Sequence, residues 1–236
     1  MSQSKSSTKA RSGAGRVAAA ALTTQFFLIL ATFIILSGAI NWPASLDDPA
    51  SVALPRLIQQ ASPVMIGYGS YLLAALLLVP ATVGLIGRLG LSGPIAGLAI
   101  ALATLSAIAK AIGISRWLFA MPGLAQAYVA PGADQATVAL VYDTLNAYAG
   151  GIGEALGVGL VSGVWTLLFG MVVLRSPGVI AKGLGAFLLI CGLSLFLTIP
   201  ASFGVELGPV LTISGFGWQF SLLGLGLWCL TRPRLP

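Results

Sequence analysis

Six uninterrupted apolar runs, at 17–40, 63–86, 94–114, 150–174, 179–197 and 207–230, constrain this chain more than any other feature. About twenty apolar residues is the helix length that crosses the hydrocarbon core of a bilayer. A backbone in lipid must satisfy its own hydrogen bonds, so it spans as helix or as closed barrel. Barrel strands alternate apolar and polar residues, and these runs do not. Charged residues make up only 8% of the chain and hydrophobic ones 57%, where a soluble domain carries about 25% charge. The expected fold is an all-α, polytopic transmembrane bundle of six spans, residues 17–230 forming one domain.

The connections are short and polar. Residues 1–16 are small, polar and basic, and read as a disordered tail. The run 17–40 exceeds the roughly 7–15 residues of a cleavable signal core, so it reads as a retained helix. Residues 41–62 read as a loop with a short surface helix over ASVALPRLIQQ. Pro80 is expected to kink the second span. Residues 115–135 hold Pro122, Pro131 and Gly132 and read as the longest irregular stretch. A helix from Ala136 to Leu174 would be about 58 Å long at 1.5 Å per residue. Its first part is then expected to project beyond the bilayer or to lie at its interface, giving an outer element over 115–149.

Positive charge sets the orientation. With the N-terminus inside, the inner segments carry Lys5, Lys9, Arg11, Arg16, Arg88, Arg175, Lys182, Arg232 and Arg234, and the outer ones only Arg56 and Arg116. Asp47, Asp48, Asp134, Asp143 and Glu206 all fall outside. Both termini are therefore expected in the cytoplasm, with 231–236 as a second tail, and the protein in the plasma membrane. The bilayer is the expected partner. Nucleic acid is not, because the basic residues border spans and share no folded face.

The chain has no histidine, and its two cysteines, Cys191 and Cys229, lie inside apolar runs. That excludes the usual zinc and haem sites and any Ser-His-Asp or Cys-His nucleophile. No metal, cofactor or catalytic residue is expected. No internal repeat is evident.

Two charges lie at membrane depth. Lys110 sits about 24 Å up the third span and Glu154 about 30 Å up the fourth. A charge at the bilayer centre costs a few kcal/mol on the insertion scale, so pairing between them is expected. Small-residue ladders would permit the contact: Ala99, Ala103, Ala107 and Ala111 on one helix, Gly151, Ala155, Gly159 and Gly163 on the other. Above Glu154, Asp143, Asn146 and Gly150 continue one helical stripe, with Tyr142 and Tyr148 beside it. Arg116 and Trp117 end the third span, and Arg116 is expected to meet Asp143. Glu154, Lys110, Arg116, Asp143, Asn146, Trp117 and Tyr148 thus form the candidate ligand site, an outward-facing polar crevice. Against this stands plain packing, with Trp117, Tyr142 and Tyr148 as interfacial belt residues.

The segment SRWLFAMPGLAQAY followed by YDTLNAYAGGIGEALGVGLVSGVW resembles a pattern in uncharacterised multi-pass membrane proteins of bacteria. The matching positions are Arg116, Trp117, Pro122, Tyr148, Gly153, Glu154, Leu156, Gly157 and Trp165. The resemblance implies a membrane protein without an assigned activity.

Three functional readings follow. The first is a small-ligand or ion site in the crevice. The second is an accessory subunit packing on another membrane protein, or on its own copies, through Gly and Ala faces that include Gly215, Gly217, Gly224 and Gly226. The third is a lipid-acting enzyme, which would need a polar cavity at Glu154.

Overall fold

The computed structural model describes residues 2–231, with side chains from Arg11 onward. Met1 and residues 232–236 lie outside it, and with them Arg232 and Arg234 of the expected tail. Helix α1 (Ser2–Ile40) leads through a short turn at Ala44–Asp47 to α2 (Ala50–Gln59), the surface helix read from the sequence. Helices α3 (Ala61–Leu76) and α4 (Leu78–Leu89) form the second span. Helix α5 (Gly93–Ser115), a π-turn at Arg116–Ala120 and α6 (Met121–Val129) form the third. Helix α7 (Gln135–Gly151), a π-helix at Ile152–Ser162 and α8 (Gly163–Leu174) form the fourth. Helix α9 (Val179–Leu195), the short α10 (Thr198–Ala201) and α11 (Pro209–Leu230) complete the bundle. Six of these helical stretches are long and apolar enough to cross a membrane. The protein is a multi-pass, all-helical membrane bundle.

Two sequence expectations about the polypeptide path are corrected. The tail over 1–16 was expected to be disordered, yet α1 runs through it from Ser2. Packing supports its inner part: a Cβ on Gly84 would strike the Ala18 nitrogen, and one on Gly15 would come within 2.7 Å of the Cys229 carbonyl. The stretch 115–135 was expected to be irregular, yet helix persists to Val129. Pro122 falls in the first turn of α6, where its missing N–H costs nothing, and the wider π-turn before it absorbs the ring. Pro80 acts differently. The second span breaks at Leu77, three residues ahead of the proline, because its ring crowds the preceding turn.

The third and fourth spans, Gly93–Val129 and Gln135–Leu174, hold 37 and 40 residues. At 1.5 Å per residue each approaches 60 Å, about twice the hydrocarbon core. Their far ends pack with α2 and form a cap. Its core contains Leu54, Leu57, Ile114, Trp117, Met121 and Tyr142. A second core, around Leu22, Leu85, Trp165, Phe169, Leu188 and Leu222, fills the other end, the base. Arg88, buried at the end of α4, donates to the carbonyls of Cys229 (3.1 Å) and Thr231 (2.9 Å) and faces the Trp228 ring. That contact, with Gly15 beside Cys229, gathers α1 and the end of α11 at the base.

Candidate functional site

The third and fourth spans touch through glycine. A Cβ on Gly113 would come within 2.8 Å of the Gly153 Cα, and one on Gly157 within 3.0 Å of the Lys110 stem and backbone nitrogen. Bare Cα positions let spanning helices approach this closely. The contact face is Gly153 and Gly157, not the ladder read from the sequence. Gly159 and Gly163 instead face α10 and α9, and Gly151 faces open space.

This contact carries Lys110 into the protein and Glu154 away from it. The lysine is 4% exposed. Its Nζ donates to Ser162 Oγ at 3.4 Å and lies 5.1 Å from the centre of the Trp218 ring. Around it runs a polar network. Ser106 and Ser162 sit 2.7 Å apart, and both reach the Gly157 carbonyl, at 3.0 and 2.9 Å. Thr166 Oγ1 donates to the Ser162 carbonyl and accepts the Trp218 indole N–H, while the Trp165 indole N–H donates to Thr82. Hydroxyls able to fill the spare lone pairs of carbonyls are what an irregular helix inside a bilayer needs.

The Lys110–Glu154 pair does not form. Among the described residues the one ion pair is Arg56–Asp48, at 2.8 Å in the cap. The reason is geometric. Every Cα–Cβ bond tilts toward the N-terminus of its own helix. The third and fourth spans run antiparallel, so side chains at equal height diverge. Lys110 leans toward the base, to Ser106 and Ser162, and Glu154 leans toward the cap. The π-helix also places Gly153 against α5, leaving the next residue, Glu154, to point sideways.

Glu154 is exposed at the surface. Among the described residues its carboxylate has no hydrogen-bond partner and no ion pair. Arg116, 8% exposed, donates from Nε to Asn146 Oδ1 at 3.1 Å and from Nη1 to the Gly113 carbonyl at 2.9 Å. Its Nη2 stands over Gly150, where an added Cβ would approach to 3.2 Å. Asn146 in turn donates to the Leu46 carbonyl at 2.9 Å. The expected Arg116–Asp143 contact is replaced by this amide, because Asn146 is one turn nearer on the stripe; Asp143 points outward, exposed.

Trp117 is no belt residue. It is 3% exposed, stacked on Tyr68 with 5.2 Å between ring centres, and meets Tyr142 edge-on at 6.5 Å. Tyr142 is buried and donates to the Asp48 carbonyl at 3.2 Å. Tyr148, 68% exposed, stands outside the cluster. The structure therefore brings Arg116, Trp117 and Asn146 together, gives the Glu154 carboxylate no hydrogen bond or ion pair with them, and leaves Lys110, Asp143 and Tyr148 apart.

Sequence reasoning missed Ser106, Ser162, Thr166 and Trp218 around Lys110, and Tyr68 stacked on Trp117. Ser106 was legible, since it lies one turn toward the N-terminus of Lys110, where that side chain must lean. Trp218 and Tyr68 come from other spans and carried no local signal. Beside Trp117, a mostly apolar cleft of about 160 Å³ opens between Leu57, Val64, Met65 and Pro122. Among the described residues no group of three His, Cys, Asp or Glu side chains could share a metal ion.

The searches of curated proteins and of solved structures found no match to this chain. The model of one family, "Domain of unknown function (DUF4386)", matches residues 22–232, and with them nearly all of the six spanning helices. The chain belongs to the DUF4386 family.

Proposed function

We propose that the protein is a plasma-membrane protein of bacterial type, with both ends in the cytoplasm, whose cap faces outward and binds a small ligand or ion between the third and fourth spans. The orientation rests on the charge bias. Arg11, Arg16, Arg88, Arg175 and Lys182 lie toward the base, against Arg56 and Arg116 toward the cap, where the acids Asp47, Asp48, Asp134, Asp143 and Glu206 also fall. The binding reading rests on one observation. Glu154 holds an exposed carboxylate with no hydrogen-bond or ion-pair partner among the described residues, on a helix fixed by glycine contacts to its neighbour. A charge kept without a protein partner is available to a ligand. The Lys110 network is sealed and internally bonded, so it serves packing in this reading.

The glycines that suggested a partner surface are used within the chain. Gly226 packs on Leu22 and Ala19, and Gly224 faces Leu184; only Gly215 of that helix stretch faces open space. The ligand reading is therefore favoured over the accessory-subunit reading. The test is thermal stability of the detergent-purified protein against a panel of small cations, amines and organic ions, for wild type and Glu154→Gln. The reading predicts at least one stabilising compound whose effect Glu154→Gln removes. Stabilisation by none, or stabilisation indifferent to Glu154, would sink it. A reporter fused at either end should register in the cytoplasm.

A further inference from the structure

Trp117, Trp165 and Trp218 are buried to 4% exposure or less. A buried indole N–H usually finds a hydrogen-bond partner, and two of these do. Trp165 donates to Thr82 and Trp218 to Thr166, each at 2.9 Å. The Trp117 N–H has no partner among the described residues, and its nitrogen does not share the full enclosure of the unbonded Tyr68 hydroxyl. Tyr68 stacks on the ring and Tyr142 meets it edge-on. The open space beside it is the cleft of about 160 Å³ between α2, α3 and α6. The free N–H therefore opens into that cleft. The walls are apolar apart from this indole and the exposed Gln126 amide, and they carry no charged side chain.

We propose that the cleft holds the ester end of a phospholipid acyl chain, its carbonyl accepting from the Trp117 N–H. Continuity with the lipid-facing surface is the first argument. Met65 lines the cleft, is 59% exposed, and is followed along the same span by the exposed Ile66 and Leu73. Height is the second. Met65 stands about 36 Å above Leu89 at 1.5 Å per residue. That is beyond the hydrocarbon core of about 30 Å and within the roughly 40–45 Å that includes the headgroup layer, where lipid esters lie. Chemistry is the third. A fatty acid anion or a cation would bring its charge to walls that hold no opposite charge, which burial penalises. An ester is uncharged, accepts a hydrogen bond and continues into hydrocarbon. The size also suits a short stretch of chain, since a cavity of about 150 Å³ accommodates benzene. This site shares no residue with the Glu154 reading and stands without it.

The full-length protein in maltoside detergent would be melted against increasing diester phosphatidylcholine, and against the diether analogue, which keeps the headgroup and chains but lacks the carbonyls. The proposal predicts that the diester raises the melting temperature at roughly fivefold lower concentration than the diether, the effect of one neutral hydrogen bond. Trp117→Phe keeps the aromatic stack and removes the donor, so it should bring the diester response down to that of the diether. Ala61→Phe, at an exposed position on the cleft wall, should fill the cleft and suppress both responses in a folded protein; it decides the matter if Trp117→Phe does not fold. Glu154→Gln should change neither response, which separates this site from the ligand site proposed above. An equal wild-type response to the two lipids, or none to either, would overturn the proposal. So would a diester preference that survives Trp117→Phe or Ala61→Phe. Stabilisation by a soluble uncharged ester such as butyl acetate, with none by the lipids, would also overturn it and assign the cleft to a small solute.

Discussion

Lys110 and Arg116 lie six residues apart on one span, both almost fully buried and neither in an ion pair, yet the protein handles them in opposite ways. Lys110 is a point charge on a flexible stem. Its stem lies across Gly157, and its head reaches one hydroxyl at 3.4 Å and an indole face. Ser162 lies twelve residues before the end of α8, about 18 Å from the base end, so the amine stands near mid-bilayer. Arg116 offers a planar fork of fixed donors and is clamped by Asn146 and the Gly113 carbonyl at 3.1 and 2.9 Å. It sits at the cap boundary, over the Trp117 ring on which Tyr68 stacks. The lysine is closed in by partners that need nothing further. The arginine is held rigidly, while its Nη2 has no hydrogen-bond partner among the described residues. The contrast lies in hydrogen bonding: two almost fully buried charges differ in what the protein's own groups supply, a hydroxyl and an indole face for one, an amide and a carbonyl for the other.

The glycine contact beneath both sites gives the sharpest way to break this comparison. Gly113→Val places a branched side chain where a Cβ already comes within 2.8 Å of Gly153. Overpacking typically costs 1–3 kcal/mol, and backbone against backbone cannot give way, so a loss of about 3 kcal/mol is expected in detergent melts. Both sites should fail together, with Arg116 losing its carbonyl partner as well. If the variant melts like wild type, the spans do not meet as described. Arg116→Gln comes next. It removes two charge-assisted bonds and leaves Asn146 half-satisfied, for an expected loss of roughly 2 kcal/mol. A neutral outcome would place Arg116 outside the clamp.

The smallest effect is at the tip of the cap. Asp134 caps α7, accepting from the Thr137 backbone N–H at 3.1 Å and the Thr137 hydroxyl at 2.7 Å. The Thr137 hydroxyl and backbone bonds hold its carboxyl below the usual carboxylate range. A carboxyl depressed in the folded state stabilises above its unfolded pKa, about 3.9, and that contribution fades as pH falls through the lower folded value. Asp134→Ala should therefore lower the melting temperature slightly at neutral pH and not at all in strong acid, while leaving both cation sites untouched. A loss that persists unchanged in acid would mean the carboxylate is not the cap.

The spans, their number and the α2 surface helix were legible because lipid demands continuous apolar length, which a sequence displays directly. The persistence of helix past Arg116 was not, because Pro122 reads as a breaker unless its place in a first turn is known. Glu154, Arg116 and Asn146 were legible as polar residues on one helical stripe. Their pairing was not. Height alone suggested Lys110 with Glu154, whereas side-chain direction in antiparallel helices sends them apart, and a π-helix cannot be read from residue spacing. Tyr68 and Trp218 arrive from other spans through tertiary packing, which leaves no trace at i+3 or i+4.

The central claim is that Lys110 and Glu154 are independent, one internal and one available to ligand. A double-mutant cycle of Lys110→Met and Glu154→Gln, read by thermal or denaturant stability in detergent, tests it most directly. The account predicts that the two effects add within about 0.5 kcal/mol, with Lys110→Met close to neutral because no carboxylate is left behind. A coupling of about 1 kcal/mol or more would show that the two charges meet in the membrane, and would contradict the separation of the sites.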